Sequence, residues 1–219
     1  MTNQNLTDIT IVLDRSGSME TIRDDTIGGF NSFLSDQRSI PGEATLTLVQ
    51  FDHLYEVVHE GKRLPDVLFL NRDTYIPRGT TALLDAIGRT IDSTGKRLEK
   101  MKEQDGPGKV VFVIITDGLE NASNQYSSNQ VNEMIERQRN EYQWQFVFLG
   151  ANQDAIATAA QLGILQAGAM TYTANAAGTG ALYGSLSSNI RSFRVGSSTS
   201  VGFTDEDREK QKKASTSVY

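Results

Sequence analysis

At 219 residues, with 38% hydrophobic and 22% charged side chains, the chain has the length and composition of one α/β domain with at most a short appendage. A net charge of −6 excludes nucleic-acid binding through a concentrated positive footprint, since the densest basic stretch, "REKQKK" at 208–213, runs out of the acidic "DEDR" and is largely neutralised. There is no cysteine and there are only two histidines, His53 and His59, which excludes disulfides, thiolate chemistry and a multi-histidine zinc centre.

The polar start, "MTNQNLTD", carries no secretion-signal pattern, and no apolar run nears the roughly 18 residues of a membrane span, so a cytoplasmic protein that does not enter a membrane is expected. "DITIVLD" (8–14) reads as a buried strand. Residues 20–38 read as a helix with Ile22, Ile27, Phe30, Phe33 and Leu34 on one side, stopped by "IPG" at 40–42; "IGGF" (27–30) within it suggests close packing. "ATLTLVQFD" (44–52) alternates as a strand does, and "YEVVHEG" (55–61) pairs back on it as an edge hairpin, with His53 and His59 packing at that hairpin. A long amphipathic helix follows at 82–101 through Leu84, Ile87, Ile91 and Leu98, and then the most apolar strand, "KVVFVIITD" (109–117). A helix at 128–141, with Ser127 or Ser128 as N-cap, leads to the strand "WQFVFLGA" (144–151), whose Trp144 is a packing residue. "NQDAIATAAQLG" (152–163) reads as a short helix between a capping Asn152 and a terminating Gly163. "MTYTA" (170–174) is a last short strand, and Leu182, Leu186, Ile190 and Phe193 mark one face of a helix over 178–194.

Repeated strand–helix alternation with continuously apolar strands predicts an α/β doubly wound sheet, mostly parallel, of about six strands with one antiparallel edge strand and helices on both faces. The division expected is a domain over 1–195 and a Ser- and charge-rich tail over 196–219, pinned at Val201 and Phe203 with a short helix from Asp205.

Two strands end in a carboxylate: "IVLD" at Asp14 and "VIITD" at Asp117. In a doubly wound sheet, ligands bind beyond the carboxyl ends of strands where the strand order reverses. If these strands are neighbours there, both carboxylates face one crevice. Ser16 and Ser18 lie in the turn after Asp14, with Gly17 between them, and the loop opening the long helix, "PRGTTALLDAIG" (77–88), supplies Thr80 and Thr81. Two carboxylates and three hydroxyls form an all-oxygen set, the kind that hard cations of the magnesium type prefer.

"DRSGSM" (14–19), "GTTALLDAI" (79–87) and "IITDGLEN" (114–121) together resemble the three parts of the von Willebrand factor type A domain and its metal-ion-dependent adhesion site, over roughly residues 6–195. The resemblance implies the Rossmann-like fold of that family. It also implies a bound Mg2+ (or Mn2+) at Asp14, Ser16, Ser18, Thr81 and Asp117. Thr81, with Ala86 and Ile87 five and six positions on, matches the family pattern better than Thr80, although the usual Gly-Gly-Thr stands here as Gly79-Thr80-Thr81. One coordination position is left for a Glu or Asp of a protein partner. Small cytoplasmic members in bacteria and phages resemble regulatory or assembly components, often beside an AAA+ ATPase system or in a stress response, and the same kind of partner is implied here. Glu120 and Asn121 are expected at the rim of the site, with Arg15 and Arg78 flanking it.

The competing reading is a magnesium-dependent phosphoryl-transfer enzyme with Asp14 as nucleophile. It is disfavoured because Ser16 stands where haloacid-dehalogenase-type phosphatases place a general acid. No Gly-x-Ser-x-Gly elbow, P-loop or Gly-x-Gly-x-x-Gly follows a strand either. The chain therefore reads as a binding module without catalytic residues.

Overall fold

The computed structural model describes residues 2–151 and 154–216. Its strands are β1 (Asn3–Asp14), β2 (Glu43–Phe51), β3 (Tyr55–Arg63), β4 (Pro107–Thr116), β5 (Gln145–Ala151) and β6 (Ala169–Tyr172), in the spatial order β3-β2-β1-β4-β5-β6. All neighbours pair in parallel except β2 and β3. The expected doubly wound sheet with one antiparallel edge strand is thus the observed one. β1 is buried continuously from Thr7 to Asp14 and β4 from Val110 to Thr116, because helices cover both faces of these central strands. The edge strand β3 is only partly covered, in keeping with its mixed polar sequence.

The helices are α1 (Arg23–Ser39), α2 (Leu83–Glu99), α3 (Ser128–Tyr142), α4 (Ala155–Gln161), α5 (Ala176–Arg194) and α6 (Asp205–Thr216). On one face, Ile9, Ile11 and Leu13 of β1 pack with Phe30 and Phe33 of α1 and Leu186 and Ile190 of α5. On the other, Val12, Phe112 and Ile114 pack with Ile87 and Ile91 of α2 and Val131 and Ile135 of α3. Trp144 stacks on Phe112 and Phe146, with ring centroids 6.5 and 6.1 Å away, as a core residue.

Several boundaries differ from the sequence reading, each for a local reason. The helix expected from residue 20 begins as a 3-10 turn over Gly17–Ile22, which buries Met19 and Ile22 before α1 proper starts at Arg23. Ser127 is the N-cap of α3: its hydroxyl accepts from Gln130 N, and the Gln130 side chain accepts from Ser127 N in return. Asp154 caps α4 by accepting from Ala157 N; Asn152, the cap expected from sequence, lies outside the described residues. Val201 and Phe203 are both buried in the core of the α1 and α5 face, and α6 packs on α5 and β6, burying Asp207, Gln211 and Ala214. Val201 and Phe203 thus pin the segment after residue 195, and its short helix starts at Asp205, as the sequence suggested. Among the described residues, no helix is long and apolar enough to cross a membrane.

α1 and α5 approach closely at Gly29, where a Cβ would sit 2.1 Å from the Tyr183 ring. Beside it, the buried Gln37 side chain donates to Ser187 O and Oγ, and Arg194 donates to the Gln37 backbone and side-chain oxygens. The apolar interface is closed by bonds that leave these polar groups satisfied.

Candidate metal centre

β1 and β4 are hydrogen-bonded neighbours on either side of the point where strand order reverses, in the register Leu13 to Ile115. This places the end of each strand, Asp14 and Thr116–Asp117, at one crevice. Asp14 is fully buried. One carboxylate oxygen accepts from Ser16 N at 2.6 Å and the other from Thr116 Oγ1 at 2.6 Å. Burial nevertheless pushes its carboxyl up to about 6, because those two bonds do not replace the water it has lost.

The hydroxyls gather beside it. Ser16 Oγ lies 3.2 Å from Ser18 Oγ, and Ser18 Oγ donates to Asp117 Oδ1 at 2.5 Å. Asp117 is half-buried, and that burial raises its carboxyl too. Thr81 is buried and Thr80 is exposed. A Cβ placed on Gly118 would stand 2.7 Å from Thr81 Oγ1 and 3.4 Å from Ser16 Oγ, so both hydroxyls crowd the same point and glycine leaves room for them. The structure thus brings all five sequence-derived residues, Asp14, Ser16, Ser18, Thr81 and Asp117, to one place. Among the described residues no group of three or more His, Cys, Asp or Glu could hold a metal, so a cation here would depend on the hydroxyls.

Three further residues, which sequence reasoning missed, hold the loops in place. Thr116 bonds Asp14 and also accepts from Gly118 N at 3.1 Å, tying the two strand ends together. Tyr75, fully buried, donates from its hydroxyl to Asp14 O at 2.6 Å. Asp85 accepts from the N–H groups of Asn124, Gln125 and Tyr126, clamping the loop after β4 to the first turn of α2. Thr116 stood next to a recognised motif residue and could have been noticed; Tyr75 and Asp85 gave no local signal.

Glu120 and Asn121, expected at the rim, act on the loop instead. Glu120 accepts from Leu84 N, Ala122 N and Ser123 N, where a carboxylate also suits the start of α2. Asn121 exchanges two bonds with the Thr81 backbone, Thr81 N to Oδ1 at 2.9 Å and Asn121 N to Thr81 O at 3.0 Å. Arg15 does not flank the crevice as a free cation. It is buried and donates to Asp52 at 3.2 Å and Glu56 at 2.6 Å, while Arg78 donates to the same Asp52 at 2.9 Å. Burial alone would raise the Asp52 carboxyl; the bonds from Arg78 and Leu54 N and the charge of Arg15 bring it below its ordinary value. Arg78 N also donates to Arg15 O and Gly17 N to Gly79 O, so the first two loops are laced edge to edge.

No family model and no curated protein sequence matches the chain. Solved structures do. It is similar to the vWF domain of the type V pili tip protein Mfa5 from Porphyromonas gingivalis, with a TM-score of 0.62 and 12% identity over 91% of this chain and 98% of that one. It is also similar to proximal thread matrix protein 1 from the mussel byssus, in a structure described as having a zinc-occupied MIDAS motif, with a TM-score of 0.57 and 13% identity over 83% and 47% of the two chains. A third likeness is to the ArnB paralog VWA2 from Sulfolobus acidocaldarius, with a TM-score of 0.51 and 19% identity over 86% and 46%. The chain spans about half the length of the mussel and archaeal chains. What these likenesses establish is the fold: the six-stranded, mostly parallel sheet is that of von Willebrand factor type A domains.

Proposed function

We propose that the crevice holds one divalent cation, Mg2+ or Mn2+, and uses it to recognise an acidic side chain of a protein partner. The observation that carries this is the donor set. Ser16, Ser18, Thr81, Asp14 and Asp117 come from three loops to one point, all through oxygen and with only two carboxylates. This set fits a hard cation. The hydroxyls of Ser16, Ser18 and Thr81 would hold it, with Asp14 and Asp117 orienting those hydroxyls and balancing the charge. The cation supplies a positive centre that can accept a carboxylate from outside. The raised Asp14 carboxyl supports the same reading, since a buried anion without a cation nearby is costly and one beside a cation is not.

The reading is non-catalytic. Asp14 is fully buried and both its oxygens already accept hydrogen bonds, which gives a nucleophile no open face. The motif resemblance extends the proposal to an intracellular regulatory or assembly role, with an AAA+ ATPase system or a stress-response component as partner.

Titration calorimetry with MgCl2 and MnCl2 tests the assignment. One site is expected, weakened more than about tenfold when Ser16→Ala and Ser18→Ala are combined and about tenfold by Thr81→Ala, with Thr80→Ala within about twofold of wild type. Unchanged binding in the double variant would overturn the assignment, and a larger loss from Thr80→Ala would move the threonine ligand by one.

A further inference from the structure

A second concavity lies at the far end of α2 from the metal centre. The first turn of α2 follows Thr81, and its last turns, about 25 Å further along the helix, line a cavity of about 460 Å3 against the end of α3 and the start of β4. That volume is in the range of small-molecule sites. Ile91, Leu98, Met101 and Val110 give it apolar walls, and Tyr142 and Trp144 add two aromatic rings. Trp144 clusters with Phe112 and Phe146, and of these three it is the one that borders the cavity. Tyr142 stays 56% exposed. The charged side chains at the cavity balance, Lys96, Lys102 and Arg137 against Asp92, Glu99 and Glu103. A ligand with a net charge would meet as much repulsion as attraction there and would lose its hydration. Gly95 also borders the cavity. Its backbone is not left-handed, and a Cβ built on it meets nothing within 4 Å. Neither conformation nor packing therefore calls for glycine at this position inside α2, where it is a weak helix former. What its missing side chain does is widen the cavity.

We propose that this cavity binds a small, uncharged aromatic molecule, its ring set against Trp144 and Tyr142. The ring would extend the existing aromatic cluster by one member, in offset or edge-to-face contact. The Met101 thioether suits a ring edge, and the aliphatic walls cover the rest of an apolar ligand. The site shares no residue with the metal centre, so the proposal stands apart from the metal reading.

Trp144 is the sole tryptophan of the chain, so its fluorescence reports on the cavity directly. The probe is dansylamide, an uncharged aromatic, titrated into the full chain in EDTA with excitation of Trp144. Two analogues share its ring, the anionic dansylate and the cationic dansyl ethylenediamine. Saturable one-to-one energy transfer is expected with dansylamide, and binding weaker by about fivefold or more with either charged analogue. Gly95→Leu, which fills the cavity, should weaken dansylamide by about tenfold or more and Tyr142→Ala by about threefold, both with the circular dichroism of wild type. Absence of saturable transfer overturns the proposal. So does equal dansylamide binding by folded Gly95→Leu, or binding of a charged analogue as tight as that of dansylamide. Should Gly95→Leu fail to fold, Tyr142→Ala at its exposed position decides, and unchanged binding there overturns the proposal.

Discussion

In EDTA at pH 7.5, Asp14→Asn is expected to be more stable than the wild-type chain by about 2 kcal/mol, while Mg2+ binding is lost. Burial raises the folded-state Asp14 carboxyl from 3.8 to about 6. Over the interval between those values the folded chain keeps a proton that the unfolded chain has released. Folding stability of the metal-free protein therefore falls as pH rises from about 4 to about 6 and levels off above it, with a total contribution of about 3 kcal/mol. Asparagine removes the charge. Its amide has a ready acceptor in Thr116 Oγ1, whose own proton can turn to Gly118 O at 3.1 Å, so part of the hydrogen bonding survives and part of the gain remains. Urea denaturation at pH 5 and pH 7.5 in EDTA should show the gap between variant and wild type widening with pH. Saturating Mg2+ should reverse the order, because ligand binding stabilises only the chain that can bind it. A variant less stable than wild type in EDTA at pH 7.5 would show that Asp14 is held by its two hydrogen bonds alone and carries no cost that a cation relieves.

Adjacent glycines in α1 give the second large effect. Gly29→Ala should cost about 3 kcal/mol, since the added Cβ meets the Tyr183 ring at 2.1 Å and that ring is fully enclosed between α1 and α5. Gly28→Ala meets nothing within 4 Å and should stabilise the chain by up to about 1 kcal/mol through helix propensity. Equilibrium denaturation of the two single variants, one residue apart, measures both. Similar effects from the two would mean that α1 and α5 are not in the close contact described.

The parts of the fold that were legible in the sequence are those whose signal is local. β1 and β4 are enclosed on both faces, so their apolar runs are unbroken, and each run ends in the carboxylate that marks the crevice. The Thr81 loop could be placed because it opens an amphipathic helix whose first buried residues follow immediately. Elsewhere the signal is long-range. Arg15 looks like a site-flanking cation in sequence, but Arg15 N bonds Phe51 O and its guanidinium turns to Asp52 and Glu56, a choice made by the β2–β3 hairpin rather than by its own neighbours. Tyr75 sits in the largely irregular stretch between β3 and α2, where Leu64, Val67, Leu70 and Tyr75 cover the sheet without a helical or strand period. Asp85 reads as an ordinary first-turn acid of α2, and only the folded loop after β4 shows that it gathers three N–H groups. The segment from 195 onward has a composition typical of mobile ends, yet its two apolar residues and its short helix, both legible in the sequence, seat it against α5 and β6.

The central claim is that three hydroxyls and two carboxylates at the end of β1 and β4 form a cation site. A crystal of the chain grown with Mn2+, with diffraction collected at a wavelength where manganese scatters anomalously, tests it most directly. The account predicts one strong anomalous peak in contact with Ser16 Oγ and Ser18 Oγ, absent from crystals of the Ser16→Ala, Ser18→Ala double variant. A peak elsewhere on the molecule, or none at this crevice at millimolar Mn2+, would contradict it.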